Sequence, residues 1–167
     1  MHLVFKILIV SLLIYFFSCS DKKSNPTSEN TNSSVTAIIP DIPGINKDVY
    51  TKLLDSCTYI DYIFHNLPFS LSQSDDSDIN QNIMFIDINK PVGKLDQTCK
   101  PIARKFFLIK GKSAYDVDVY LSEKCNYYVF VDKAGKPLYA NQMTESGRNF
   151  YNNIIKQVTG ATSTGNQ

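Results

Sequence analysis

Between Ile102 and Asn141 the apolar side chains recur at every second position, and from Gly147 onward at every third and fourth. This change of period constrains the fold more than any other feature of the chain. A period of two buries one face of a strand, and a period near 3.6 buries one stripe of a helix. The run 102–110 reads as a strand, Gly111-Lys112 as a turn and 114–121 as a second strand. In that second strand Tyr115, Val117, Val119 and Leu121 share one face, and Asp116, Asp118 and Tyr120 share the other. A third strand is expected over 126–132. Lys133-Ala134-Gly135-Lys136 then turns the chain, with Gly135 supplying a left-handed residue. A short fourth strand over 137–141 suits an edge, because Pro137 cannot donate to a ladder. Thr144 can cap a closing helix with the stripe Gly147, Phe150, Tyr151, Ile154, Ile155 and Val158.

Ahead of the meander the signals are helical. Asn46 can cap a helix from Lys47 to about His65, with Tyr50, Leu53, Leu54, Cys57, Ile60 (or Asp61) and Phe64 along one face. Asp75, Asp76 and Asp78 suit the positive end of a second helix over 75–87, although Ile83-Met84-Phe85-Ile86 reads equally as a strand. Helices, then an antiparallel meander, then a helix make an α+β domain. The expected architecture is a three- to four-stranded meander with two N-terminal helices and one C-terminal helix.

The N-terminal end is of another kind. Lys6 precedes an apolar run from Ile7 to Phe17, interrupted only by Ser11, and the run ends at Phe16-Phe17-Ser18-Cys19. One cation followed by eleven mainly apolar residues is the layout of a secretory signal peptide. As a helix the run covers roughly 16 Å, about half of a hydrocarbon core. A small residue and then Cys at the end of such a run resembles the lipobox of bacterial lipoproteins, in the relaxed form used by Bacteroidota. The usual pattern has Leu where this chain has Phe16 and a small residue where it has Phe17. The resemblance implies that Cys19 becomes the acylated N-terminus of the mature protein. Ser20 in place of an Asp after that Cys implies the outer membrane. The expected location is therefore the bacterial cell envelope, with the domain facing the periplasm, the cell surface as the alternative face, and the bilayer as its first partner. An envelope protein or a glycan is the further partner considered. Residues 1–18 are then the signal peptide and 19–45 the lipidated Cys with a Ser-, Asn- and Thr-rich tether. A single α+β domain follows over 46–158, and 159–167 is a polar tail that frays.

Composition removes several classes. The chain has 167 residues, room for one ordinary domain, and 43% hydrophobic residues exclude wholesale disorder. Seventeen basic residues against sixteen acidic ones produce no global field for nucleic acid, and no nucleic-acid partner is expected. The charge is nevertheless segregated. Residues 46–87 carry two basic and seven acidic side chains, and residues 88–112 carry seven basic and one acidic. Exposed, the run from Lys90 to Lys112 would face anions such as lipid headgroups.

The candidate chemistry is sparse. Beyond the signal only His65 remains as a histidine, which excludes a two-histidine zinc site. Cys57, Cys99 and Cys125 contain no knuckle spacing, so neither a metal nor another cofactor is expected. In an oxidising envelope a Cys99–Cys125 disulfide is favoured, with Cys57 a buried free thiol. Asp76-x-Asp78-x-Asn80 begins like a calcium loop, but Gln81 stands where the sharp turn needs Gly. Gly111-Lys112-Ser113 ends like a phosphate loop, yet a strand follows it instead of a helix. Asp116 and Asp118, about 7 Å apart on one strand face, are the weak acid pair on which a glycan or cell-wall hydrolase reading would rest. The third strand is apolar on both faces. Tyr128 and Phe130, with Tyr120 and Tyr139, are therefore the candidate binding surface. The favoured function is a non-catalytic binding or accessory domain, with the hydrolase and a purely structural envelope protein as alternatives.

Overall fold

A computed structural model describes the backbone of residues 41–164 and the side chains of residues 41–160. The signal peptide, Cys19 and the tether up to residue 40 lie outside the described residues. The elements run α1 (Lys47–Ser56), β1 (Tyr59–Phe64), β2 (Ser70–Gln73), α2 (Asp76–Met84) and β3 (Ile86–Pro91). They continue with β4 (Ala103–Ile109), β5 (Lys112–Leu121), β6 (Asn126–Val131), β7 (Pro137–Met143) and α3 (Glu145–Thr164). The strands form one seven-stranded antiparallel sheet in the order β2-β1-β4-β5-β6-β7-β3. The α+β class and the antiparallel meander β4-β5-β6-β7 are as the periodicity indicates. The three- to four-stranded sheet and the two helices placed ahead of it are corrected: β1, β2 and β3 come from segments read as helix or left unassigned.

The first correction concerns the segment after Asn46. Asn46 does cap α1, its side chain accepting from the Val49 N–H at 2.8 Å. The helix ends at Ser56, and the residues expected to continue it form β1. Ile60, Tyr62 and Phe64 all point into the core, a period of two hidden because the alternate positions hold Tyr59 and Ile63. β-branched and aromatic side chains crowd a helix and pack well on a pleated surface, so sheet pairing wins. The second correction is at Ile86, where the chain leaves α2 for β3. Asp75 caps α2 with its carboxylate accepting from the Ser77 and Asp78 N–H groups, at 2.9 and 3.4 Å. The third is β7, which is interior, flanked by β6 and β3. Pro137 is tolerated at its first position, beside a register shift.

One face of the sheet carries all three helices. Leu53 of α1, Ile79 and Ile83 of α2 and Tyr151 of α3 pack on Ile60, Tyr62, Phe107, Val117, Val119, Tyr128 and Phe130. Part of the opposite face is covered by the segment between β3 and β4. Its Val92, Leu95 and Cys99, with Ile42, lie on Tyr127, Val129, Val131 and Ala140. Both faces of β6 are therefore buried, which explains its apolar run. Buried Asn141 ties the lead-in to the sheet. Its Oδ1 accepts from the Ile45 N–H at 2.6 Å, and its Nδ2 donates to the Asp87 carbonyl at 2.9 Å. Thr144 caps α3, accepting from the Gly147 N–H at 3.3 Å, and α3 runs on to Thr164, past the stripe that ends at Val158. Once Tyr151 and its neighbours nucleate the helix, each further turn needs little support. No helix among the described residues is long and apolar enough to cross a membrane.

Candidate functional site

The four aromatic residues singled out in the sequence do not form one surface. Tyr128 and Phe130 are fully buried beneath the helices. Tyr139 is half-buried on the same side, edge-on to Phe130. Tyr120 belongs to the other face and packs on Tyr127, ring centroids 4.7 Å apart. The double-sided apolar pattern of β6 arises from burial on both sides.

Asp116 and Asp118 do share a face, each with its own partner. Arg104, on β4 directly opposite Asp118, donates from Nε at 2.7 Å and from Nη2 at 3.0 Å to the two carboxylate oxygens. This two-pronged pair holds the guanidinium above its ordinary range, and Asp118 is almost fully covered. Asp116 accepts from the Ser113 hydroxyl. The arrangement orders the sheet face, with both Asp118 oxygens turned to Arg104.

Cys99 and Cys125 are joined by a disulfide across 26 residues, Cα atoms 6.3 Å apart. The bridge holds the covering segment to the start of β6, which is how a loop residue spans the strand between β4 and β6. Among the described residues Cys57 is the free thiol, and burial pushes its pKa up. Asp96 lies close to both bridged sulfurs, but its Oδ1 accepts from the Thr98 N–H and hydroxyl and the sulfurs are bonded to each other. His65 is exposed just beyond β1 and not at a helix end.

What the structure does assemble is a groove where α3 passes the β5–β6 hairpin. It is a cavity of about 480 Å³ bordered by Glu123 and Asn126 of the hairpin and Glu145, Arg148, Asn149 and Asn152 of α3. Leu121 and Ile155 supply its apolar part. The hairpin is held by one backbone bond and one bond to a side chain. The Ser122 N–H donates to the Cys125 carbonyl at 3.0 Å, and the Cys125 N–H donates to Ser122 Oγ at 3.0 Å. A second concavity, of about 500 Å³, shares Ser122 and Glu123 and reaches the disulfide through Cys99 and Lys100. The groove thus offers three amides, a guanidinium and two carboxylates, an array that donates and accepts along a polar chain. Ser122 Oγ is occupied by the Cys125 N–H, and the lining contains no imidazole to activate it. Such a set recognises hydroxyls, amides and paired charges, as a sugar or a peptide presents them.

These residues were missed in the sequence although a signal was present. Glu145, Arg148, Asn149 and Asn152 stand at i, i+3, i+4 and i+7, one continuous helical stripe beside the apolar stripe. Nothing local shows that the β5–β6 turn faces them. No protein-family model, no curated protein and no solved structure matches the chain.

Proposed function

We propose that this chain is a lipid-anchored cell-envelope lipoprotein whose single α+β domain is a small, non-catalytic binding module. The groove between α3 and the β5–β6 hairpin takes its ligand. The observation that carries the reading is the lining itself: a polar set of amides with one guanidinium and two carboxylates, on a rigid helix and a disulfide-braced hairpin. Sites on such elements keep their geometry better than sites on free loops. Cys19, at the end of the apolar run and before a polar spacer, is the anchor, and the acyl chains hold the domain at the outer membrane on its periplasmic side. The ligand is a glycan or a peptide segment of an envelope component.

Two measurements test this. Intact mass of protein extracted from membranes should begin at an acylated Cys19, and an unmodified mature terminus elsewhere refutes the anchor. Amide chemical shifts recorded with neutral oligosaccharides and short peptides should move at Glu123, Asn126, Arg148 and Asn152, and should stay unmoved in the Arg148→Ala chain. Shifts confined to the outer sheet face around Arg104 would refute the groove.

A further inference from the structure

The segregated charge of the sequence is redistributed by the fold. Of the seven cations between residues 88 and 112, Lys105 is buried, Arg104 is paired with Asp118, Lys90 with Asp87, Lys94 lies 4.0 Å from Asp41, and Lys100 is exposed in the segment before β4. Lys110 and Lys112 are exposed and in no ion pair among the described residues. They flank the tip of the β4–β5 hairpin, where Lys110 and Gly111 both have positive φ, 51° and 73°. Two left-handed residues in succession make the tight turn whose twist matches the strands.

Strand order brings a second basic tip to the same end. Because β4, β5, β6 and β7 are consecutive antiparallel neighbours, the β6–β7 turn emerges beside the β4–β5 turn. It carries Lys133 and Lys136, both exposed and likewise in no ion pair among the described residues. Two strand spacings part the tips by about 10 Å across the sheet, and the pairing of Asp116 with Val131 carries the β4–β5 tip further out, so the four ammonium groups share one end of the sheet as two neighbouring basic pairs. The nearest acids in sequence, Asp132 and Asp116, are two against four lysines, and each is turned toward local donors. Asp132 accepts from the Ala134 and Lys136 N–H groups at 2.8 and 2.9 Å, and Asp116 accepts from Ser113. Both tips project: a Cβ built on Gly111 or Gly135 meets no atom within 4 Å. Beside the second tip Leu138 is 40% exposed and Tyr139 half-buried.

We infer that this end of the sheet is a docking surface for anionic phospholipid headgroups. Projecting tips of like charge fit a broad charged plane, and the apolar and phenolic side chains behind them match the headgroup boundary. The groove sits at the far end of β5, ten residues and about 33 Å away, so docking turns the groove outward from the bilayer. The surface is independent of both Cys19 acylation and the groove ligand.

The test uses the full chain carrying Cys19→Ser, co-sedimented with phosphatidylcholine vesicles with and without phosphatidylglycerol. Any contribution of the apolar N-terminal run to neutral vesicles is thereby measured separately. Each lysine near an anionic surface should strengthen partitioning about fivefold. Lys110→Gln with Lys112→Gln should therefore weaken binding to the anionic vesicles by about 25-fold. Adding Lys133→Gln and Lys136→Gln should bring it to the neutral-vesicle level, and rising salt should mimic both. Equal binding to the two vesicle types, or binding unchanged in the four-site variant, overturns the inference. Binding to polyglutamate without partition into anionic vesicles also overturns it and points to an acidic protein.

Discussion

Lys105 lies inside the core with no carboxylate beside it. Its Nζ donates to Asn82 Oδ1 at 3.2 Å and stands 4.0 Å from the centroid of the Tyr128 ring and 4.7 Å from that of Phe107. Two faces of π-electrons and one amide oxygen replace hydration poorly, and burial lowers the ammonium from 10.5 to about 7. A lysine depressed in the folded state adds stability above its unfolded pKa and loses it as pH falls toward the folded one. The fall from 10.5 to about 7, at about 1.4 kcal/mol per pKa unit, is worth about 5 kcal/mol in all. About 3 kcal/mol of it should be gained between pH ~6 and ~9.5. Lys105→Met keeps the length and the ring contacts, removes the titration, and strands Asn82 Oδ1 at a cost of about 1–3 kcal/mol. The Met chain should therefore be more stable than the parent by about 2–4 kcal/mol at pH ~6, with the advantage vanishing near pH ~9.5. Urea unfolding at a series of pH values reads this directly, with equal m-values required for the comparison. The series stops short of pH 10, because burial raises Tyr62, Tyr128 and Tyr151. Phenols raised in the folded state lose stability as pH climbs past their unfolded value. A stability difference that stays constant across the series would refute the reasoning, since it would mean that Lys105 keeps its charge through the whole range.

Gly147→Ala should destabilise despite Ala being the better helix former. The new Cβ would sit 2.8 Å from Met143 Cγ and 2.9 Å from Phe85 Cβ, so about 1–3 kcal/mol of overpacking opposes about 1 kcal/mol of propensity, and the melting temperature should fall by several degrees. Cys99→Ser with Cys125→Ser should cost about 3 kcal/mol for a bridge closing 26 residues, seen as a lower urea midpoint that reducing agent reproduces in the parent. Asn141→Leu should orphan the Ile45 N–H and the Asp87 carbonyl, with a loss of about 2–4 kcal/mol and faster hydrogen exchange at Ile45.

Where a residue's role depends on neighbours in the chain, the sequence already shows it. The caps at Asn46 and Thr144, the acids opening α2, the turn at Gly135 and the alternation along β4 and β5 are all of this kind. So is the class, since periods of two and of 3.6 demand a sheet with helices on it. The disulfide was legible as well, because strand order in a meander sets which strand starts share an end.

β1 was not legible, because a strand with apolar side chains at nearly every position carries no period, and its spacing also fits a helix. Tyr128 and Phe130 read as a patch for the same reason: exposure is a property of what lies on top, and α2 and α3 supply it from elsewhere in the chain. The groove escaped because its two walls are separated in sequence, joined only when α3 lies along the β5–β6 hairpin. Lys105 shows the division most plainly. Local sequence marks it as one cation in a basic run, while the sheet register turns it toward the core and leaves Lys110 and Lys112 at the tip. Periodicity, capping and turn chemistry are short-range and belong to the sequence. Burial, pairing and the placement of charge are long-range, and only the closed sheet with its helices decides them.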